Sequence, residues 1–191
     1  MYAGCIEIRE EPISELHRHV LIPNDFESRS VFDVREIAGA LVLTERQLDR
    51  PYSKNYDSLE NPMDWPALFD VSNWTIISAF VGGARVGGII GAMDSTGVEM
   101  LEGRRDLLVI WDLRVSPGAR RKGVASALFL RLEALCRLKH CIEIKAETQN
   151  TNVAACSYYA HQDCRLVEAN HDAYPGVPDD VQLVWRKTVP A

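Results

Sequence analysis

Val115-Ser-Pro-Gly-Ala-Arg120-Arg121-Lys122-Gly123-Val124-Ala125-Ser126-Ala-Leu128 is the most informative stretch of this 191-residue chain. An apolar segment, Leu107-Leu-Val-Ile-Trp111, leads into it, and an amphipathic one, Leu128 to Lys139, leads out. The pattern reads as strand, basic turn, helix. Amide groups exposed at a helix start, the positive end of the helix dipole and three cationic side chains together make an anion site. Gly123 permits close approach of the ligand where a Cβ would intrude. The anion that suits such a junction is a pyrophosphate carried by a cofactor.

Two other phosphate loops do not fit. A Walker A loop places Lys and Ser or Thr at its second glycine, whereas Gly123 is followed by Val124 and Ala125. The G-x-G-x-x-G fingerprint of dinucleotide sites is absent here. What stands is Arg120-x-x-Gly123-x-Ala125. Downstream, Cys141-Ile-Glu-Ile-Lys-Ala-Glu147 alternates as a strand, and Thr148-Gln-Asn150-Thr-Asn152 caps a helix reading Asn152-Val-Ala-Ala155-Cys-Ser-Tyr158-Tyr159.

These two motifs, separated by one helix and one strand, resemble the signatures of the GNAT acetyltransferase superfamily, [RQ]-x-x-G-x-[GA] and N-x-x-A-x-x-x-Y. Trp111-Asp-Leu-Arg-Val115, Glu147-Thr-Gln-Asn150 and Ala173-Tyr-Pro-Gly176 resemble its streptothricin-type branch most closely. The resemblance is strong from about Trp74 to Lys187. It implies an α/β layered fold: a mixed, mostly antiparallel sheet with splayed central strands and flanking helices. Acetyl-CoA is the implied acetyl donor, with no metal. By resemblance it is held by the main chain of Leu113 and Val115 and by Arg120, Arg121, Lys122, Gly123, Val124, Ala125 and Ser126. Asn152 caps its helix and reaches the cofactor arm.

The implied reaction is direct attack of a primary amine on the thioester in a ternary complex. Tyr159 then protonates the departing thiolate, while Tyr158 packs against the sheet. The general base is chosen from two carboxylates, Glu147 ahead of Asp112. A structural pairing of Asp112 with Arg114 is an equal alternative for the second, and a water chain can also take the proton. Where most of the family has Gly-Phe after the Tyr159 helix, this chain has Asp163-Cys164. The implied acceptor is a small cationic amine, an antibiotic of streptothricin type among the candidates. A second reading is a non-catalytic acyl-CoA-binding or protein-interaction module of the same fold. Retention of Tyr159, Asn152 and the whole Arg120–Ala125 loop favours the enzyme.

The length suits one domain, 1–191, with 1–110 as the acceptor-side half and 111–191 as the acetyl-CoA-side half. Residues 1–110 carry 10 basic and 18 acidic side chains and residues 111–191 carry 11 and 9, which yields the net charge of −6. That asymmetry suits an anionic cofactor and a cationic acceptor, and the acidic total disfavours nucleic acid. No stretch is apolar enough to span a bilayer, and the first residues lack the build of a secretory leader. Five cysteines at spacings without metal-ligand or disulfide logic read as buried thiols of a cytoplasmic protein. The family commonly forms homodimers, but the sequence names no interface.

The remaining elements are expected as follows. Cys5–Arg9 is a strand, Ser14–Val20 a short helix, and Trp74–Val81 with Arg85–Met93 a hairpin turning at Gly82-Gly83. Residues 26–65 are ambiguous: 29–34 and 41–45 could be strands, or the second a helix. The helix after Gly123 should bury Val124, Leu128, Leu132 and Leu135 and turn Glu133 and Arg137 elsewhere. Strands at 164–168 and 181–186 close the fold, joined by a loop with Tyr174, Pro175 and Pro178. The histidines are read as exposed or capping, and Trp111, Phe129 and Trp185 as core.

Overall fold

Nine strands and four α-helices among the described residues gather into two units. The computed structural model describes residues 5–177 and 179–190; Pro178 and the first four residues, on which part of the loop and leader readings fall, lie outside that range. One unit takes the chain up to Asn24, then Tyr56–Ile144, then the end from Thr188; the other takes Asp25–Asn55 and Lys145–Lys187.

The first unit holds β1 (Glu7–Glu11), β4 (Thr75–Val81), β5 (Ala84–Ala92) and β6 (Leu107–Val115), in the order β1-β4-β5-β6, with every pairing antiparallel. Gly82 and Gly83, at φ 56° and 80°, make the β4–β5 turn, as two successive left-handed residues do in tight hairpins. α3 (Val124–Leu138) lays Val124, Leu128, Leu132 and Leu135 against the sheet, all buried. It can approach because β5 lacks side chains there. A Cβ at Gly87 would lie 2.8 Å from Val124 Cγ1, and one at Gly91 2.9 Å from Leu132 Cδ1. Glu133 is buried as well, against expectation.

Around α1 (Leu16–His19) and α2 (Trp65–Leu68) forms a core of Leu16, Trp65, Trp74, Ile76, Ile90 and Leu107. Trp111 packs edge-on to Trp65 at 6.1 Å and to Phe69 at 4.9 Å, so it belongs to this core as read from the sequence. His19 does not match its reading. Its side chain is fully buried, facing Gly88, where an added Cβ would lie 2.4 Å from the ring.

The second unit holds α4 (Val153–His161), β8 (Arg165–Asn170) and all but the ends of β7 (Glu143–Gln149) and β9 (Gln182–Thr188), with strand order β7-β9-β8. To these it adds the ambiguous region: β2 (Asp25–Ile37) and β3 (Ala40–Asn55), 13 and 16 residues long, form a separate two-stranded antiparallel ribbon. The helical option for 41–45 is thereby excluded. Asn150 stitches the ribbon in place: its Nδ2 donates to the Phe32 carbonyl at 3.0 Å, and its Oδ1 accepts from Val181 N at 2.8 Å. Asp180, fully buried, accepts from Lys54 Nζ at 2.7 Å, from the Tyr52 hydroxyl and from Thr151 Oγ1. Burial and this carboxylate push the Tyr52 phenol above its ordinary pKa.

Candidate active site

The junction after β6 has the geometry that its sequence requires. A short turn, Pro117–Ala119, leads to Gly123 at φ 83°, the N-cap of α3, a residue with no side chain of its own to cap the helix. The left-handed backbone at Gly123 is one reason for glycine. Open space around its Cβ position is the other, since nothing of the protein lies within 4 Å. Arg120, Arg121 and Lys122 are exposed; Arg120 Nε donates to the Val115 carbonyl at 3.1 Å and Lys122 Nζ to the Gly118 carbonyl at 2.6 Å. Those two bonds fold basic side chains back onto the turn. Val124 is buried as the first core residue of α3, so only its main chain can serve a ligand, while Ala125 is half-buried and Ser126 exposed.

Along β6, burial alternates. Trp111, Leu113 and Val115 are half-buried, and Asp112 and Arg114 are buried. Arg114 Nε donates to Asp112 Oδ2 at 2.7 Å, while its two terminal nitrogens grip Asp57 at 2.8 and 2.7 Å. Arg114 also donates to the Ile22 carbonyl, and Asp112 lies 3.5 Å from His19 Nε2. Asp112 is therefore committed to a buried ion network. This is the structural pairing weighed for it.

Glu147, on β7, stands differently. It is half-buried, with both oxygens engaged by neutral donors: Tyr174 Oη to one and Gln182 Nε2 at 2.8 Å to the other. The Tyr174 hydroxyl in turn accepts from Gln149 Nε2 at 2.8 Å. Lys54 Nζ lies 5.5 Å from the Tyr174 ring centroid. Sequence reasoning named Glu147 but missed its partners Tyr174 and Gln182, and Gln149 as the partner of Tyr174. The only signal was the Ala173-Tyr-Pro-Gly176 wording of the loop.

Asn152 caps α4, its Oδ1 accepting from Ala155 N at 3.1 Å. Cys156 and Tyr159, one turn apart, face inward together and are buried. Cys156 Sγ meets Thr148 Oγ1 at 3.3 Å, and Trp185 Nε1 donates to the same oxygen at 2.8 Å, which ties α4 to β7 and β9. Tyr158, expected to pack against the sheet, is only half-buried and rests on the Tyr159 ring at 5.2 Å. After α4, Asp163 takes the left-handed conformation, φ 59°, as the terminating residue. The departure from glycine is thus a conformational substitution at a helix end. No cluster of side chains among the described residues has the make-up of a metal site. No helix among them is long and apolar enough to cross a membrane.

Comparison with known proteins agrees with this geometry. The model of the acetyltransferase (GNAT) family matches residues 41–163. A streptothricin acetyltransferase of Escherichia coli is 28% identical over 167 residues, covering 85% of this chain and 84% of its own. Among solved structures, a nourseothricin acetyltransferase aligns with TM-score 0.74 at 19% identity, covering 97% of this chain and 99% of its own. A Bacillus anthracis str. Ames protein assigned as a streptothricin acetyltransferase, solved with acetyl coenzyme A, aligns with TM-score 0.77 at 21% identity, covering 96% and 99%. At such identities the structural likeness speaks to the fold. The chain belongs to the acetyltransferase (GNAT) family. It is an acetyl-CoA-dependent N-acetyltransferase with a mixed, mostly antiparallel α/β fold.

Proposed function

We propose that this chain moves the acetyl group of acetyl-CoA onto a primary amine of a small cationic acceptor, by direct attack in a ternary complex, with residues 1–191 working as one domain. The observation that carries the reading is the β6–α3 junction: a left-handed glycine at the helix N-cap and an exposed Arg120–Lys122 run. Such a junction suits a pyrophosphate. In this reading Arg120–Ser126 hold the phosphates, the main chain of Leu113 and Val115 pairs with the pantetheine arm, and Asn152 reaches the same arm.

The chemistry follows in order. The acceptor ammonium gives up a proton to Glu147, and the amine lone pair attacks the thioester carbon. A main-chain N–H of β6 stabilises the oxyanion. Collapse expels the CoA thiolate, which takes a proton from the Tyr159 hydroxyl. Asp112 is left out of this sequence because Arg114 holds it in a buried ion pair. Burial pushes the Cys156 thiol, the one beside Tyr159 on α4, up to about 11, away from the thiolate that a cysteine-borne acetyl group would need there.

A streptothricin-type acceptor is supported by the name of the Escherichia coli relative. The excess of acidic side chains over residues 1–110 suits a cation. A cytoplasmic site of action accompanies the cofactor. The test is a matrix of initial rates in which acetyl-CoA and the amine are both varied. Intersecting reciprocal plots are expected; parallel lines would point to an acetylated enzyme and overturn direct attack.

A further inference from the structure

Tyr174 occupies the centre of a hydrogen-bonded chain of which the reaction sequence above uses Glu147 alone. Its hydroxyl donates to Glu147 and accepts from Gln149, and Gln182 donates to the other Glu147 oxygen. Glu147 therefore accepts at both oxygens, the bonding mode of an ionised carboxylate. The phenol oxygen is both donor and acceptor, so a proton can pass through it. The Lys54 ammonium, which Asp180 fixes at 2.7 Å, lies over the ring at 5.5 Å from its centroid. Asp180 is in turn fixed by Tyr52 and Thr151, so the loop between β8 and β9 is pinned on either side of this chain.

We infer that Tyr174 relays the acceptor's proton to Glu147. The inference rests on the reading of Glu147 as general base. In this step the acceptor ammonium transfers a proton to the Tyr174 oxygen while the Tyr174 hydroxyl proton passes to Glu147. The phenol ends neutral, the carboxylate protonated and the amine free to attack. The proton returns to solvent as the next acceptor arrives. Gln149 and Gln182 are positioning residues: one orients the phenol, the other the carboxylate.

The test compares Tyr174→Phe and Glu147→Gln with the parent protein by following CoA thiol release against pH. With the relay, kcat/KM for the amine is flat across neutral pH, because the enzyme takes the proton from the bound ammonium. Without it, only the free amine reacts. Its fraction rises tenfold per pH unit up to a pKa of about 10.4. Tyr174→Phe is therefore expected to lose about 10²-fold at pH 7, the usual scale for a positioned proton-transfer group. The deficit should shrink steadily as pH rises. The Tyr174→Phe/Glu147→Gln double variant should be no slower than Glu147→Gln alone.

A Tyr174→Phe deficit that stays constant with pH would mark the tyrosine as merely structural and overturn the relay. So would a double variant whose losses multiply. Calorimetric acetyl-CoA affinity confirms that each variant is folded. If Tyr174→Phe fails that check, Gln149→Leu takes its place, with a smaller deficit that also shrinks with pH; a constant deficit would again overturn the relay. A flat profile at parent rates for Glu147→Gln would instead remove Glu147 as base, which overturns the underlying reading and the relay together.

Discussion

Arg114 and Asp112, two positions apart on β6, form a 2.7 Å ion pair with both side chains at most 2% exposed. Asp57, the Ile22 carbonyl and His19 extend that pair into a network that ties the segments before β2 and after β3 to the strand. Burial works against the guanidinium charge, yet Asp112 and Asp57 outweigh it and hold the Arg114 pKa raised. Replacing Arg114 with Met strands a buried carboxylate and should cost about 3–5 kcal/mol in urea unfolding. A loss below about 1 kcal/mol, the scale of a surface pair, would contradict this account of β6.

The residue after α4 offers the opposite case. Asp163 adopts φ 59°, a region in which an L side chain pays steric strain that glycine avoids. Asp163→Gly should raise stability by about 1 kcal/mol without changing acetyl-CoA affinity. A thermal melt unchanged or lowered would show that the aspartate makes a compensating contact.

Strand β6 was legible to its ends because Leu107–Val115 is buried through its first half and alternates in its second. The helix at Asn152 was legible because its cap is local. The β2–β3 ribbon was not: most of its residues are exposed or half-buried, so no apolar face repeats at every second position. Its turn is Ala38-Gly39 at φ 51° and 78°, lacking the Asn or Asp that usually announces such a turn. His19 was misread because its burial depends on Gly88, nearly seventy positions on. The partners of Glu147 were hidden for the same reason: Tyr174 and Gln182 arrive from a distant loop and strand.

The cofactor junction can be tested at one atom. Gly123→Asp adds a Cβ to a left-handed position and a negative charge where the pyrophosphate should lie. Acetyl-CoA binding should fall below detection by calorimetry, with the fold retained. Arg120→Ala should weaken binding less, since main-chain donors remain. Unchanged affinity in Gly123→Asp would mean the phosphates lie elsewhere.

For the proposed acid, adjacent tyrosines provide an internal control. Tyr159 is buried and Tyr158 half-buried on the same helix. Tyr159→Phe keeps the ring that anchors α4 and removes the proton, so turnover should fall by about 10²-fold or more at unchanged acetyl-CoA affinity. Tyr158→Phe should leave turnover nearly intact. Equal effects in a steady-state assay would refute the choice of Tyr159.

The most direct measurement is CoA thiol release by the parent protein from acetyl-CoA with a panel of cationic primary amines, streptothricin-type compounds among them, each paired with its N-acetylated counterpart. Release with at least one primary amine, and none with its acetylated partner, is the expected result. Tight acetyl-CoA binding without thiol release from any amine would contradict the proposal that this chain acetylates a cationic amine.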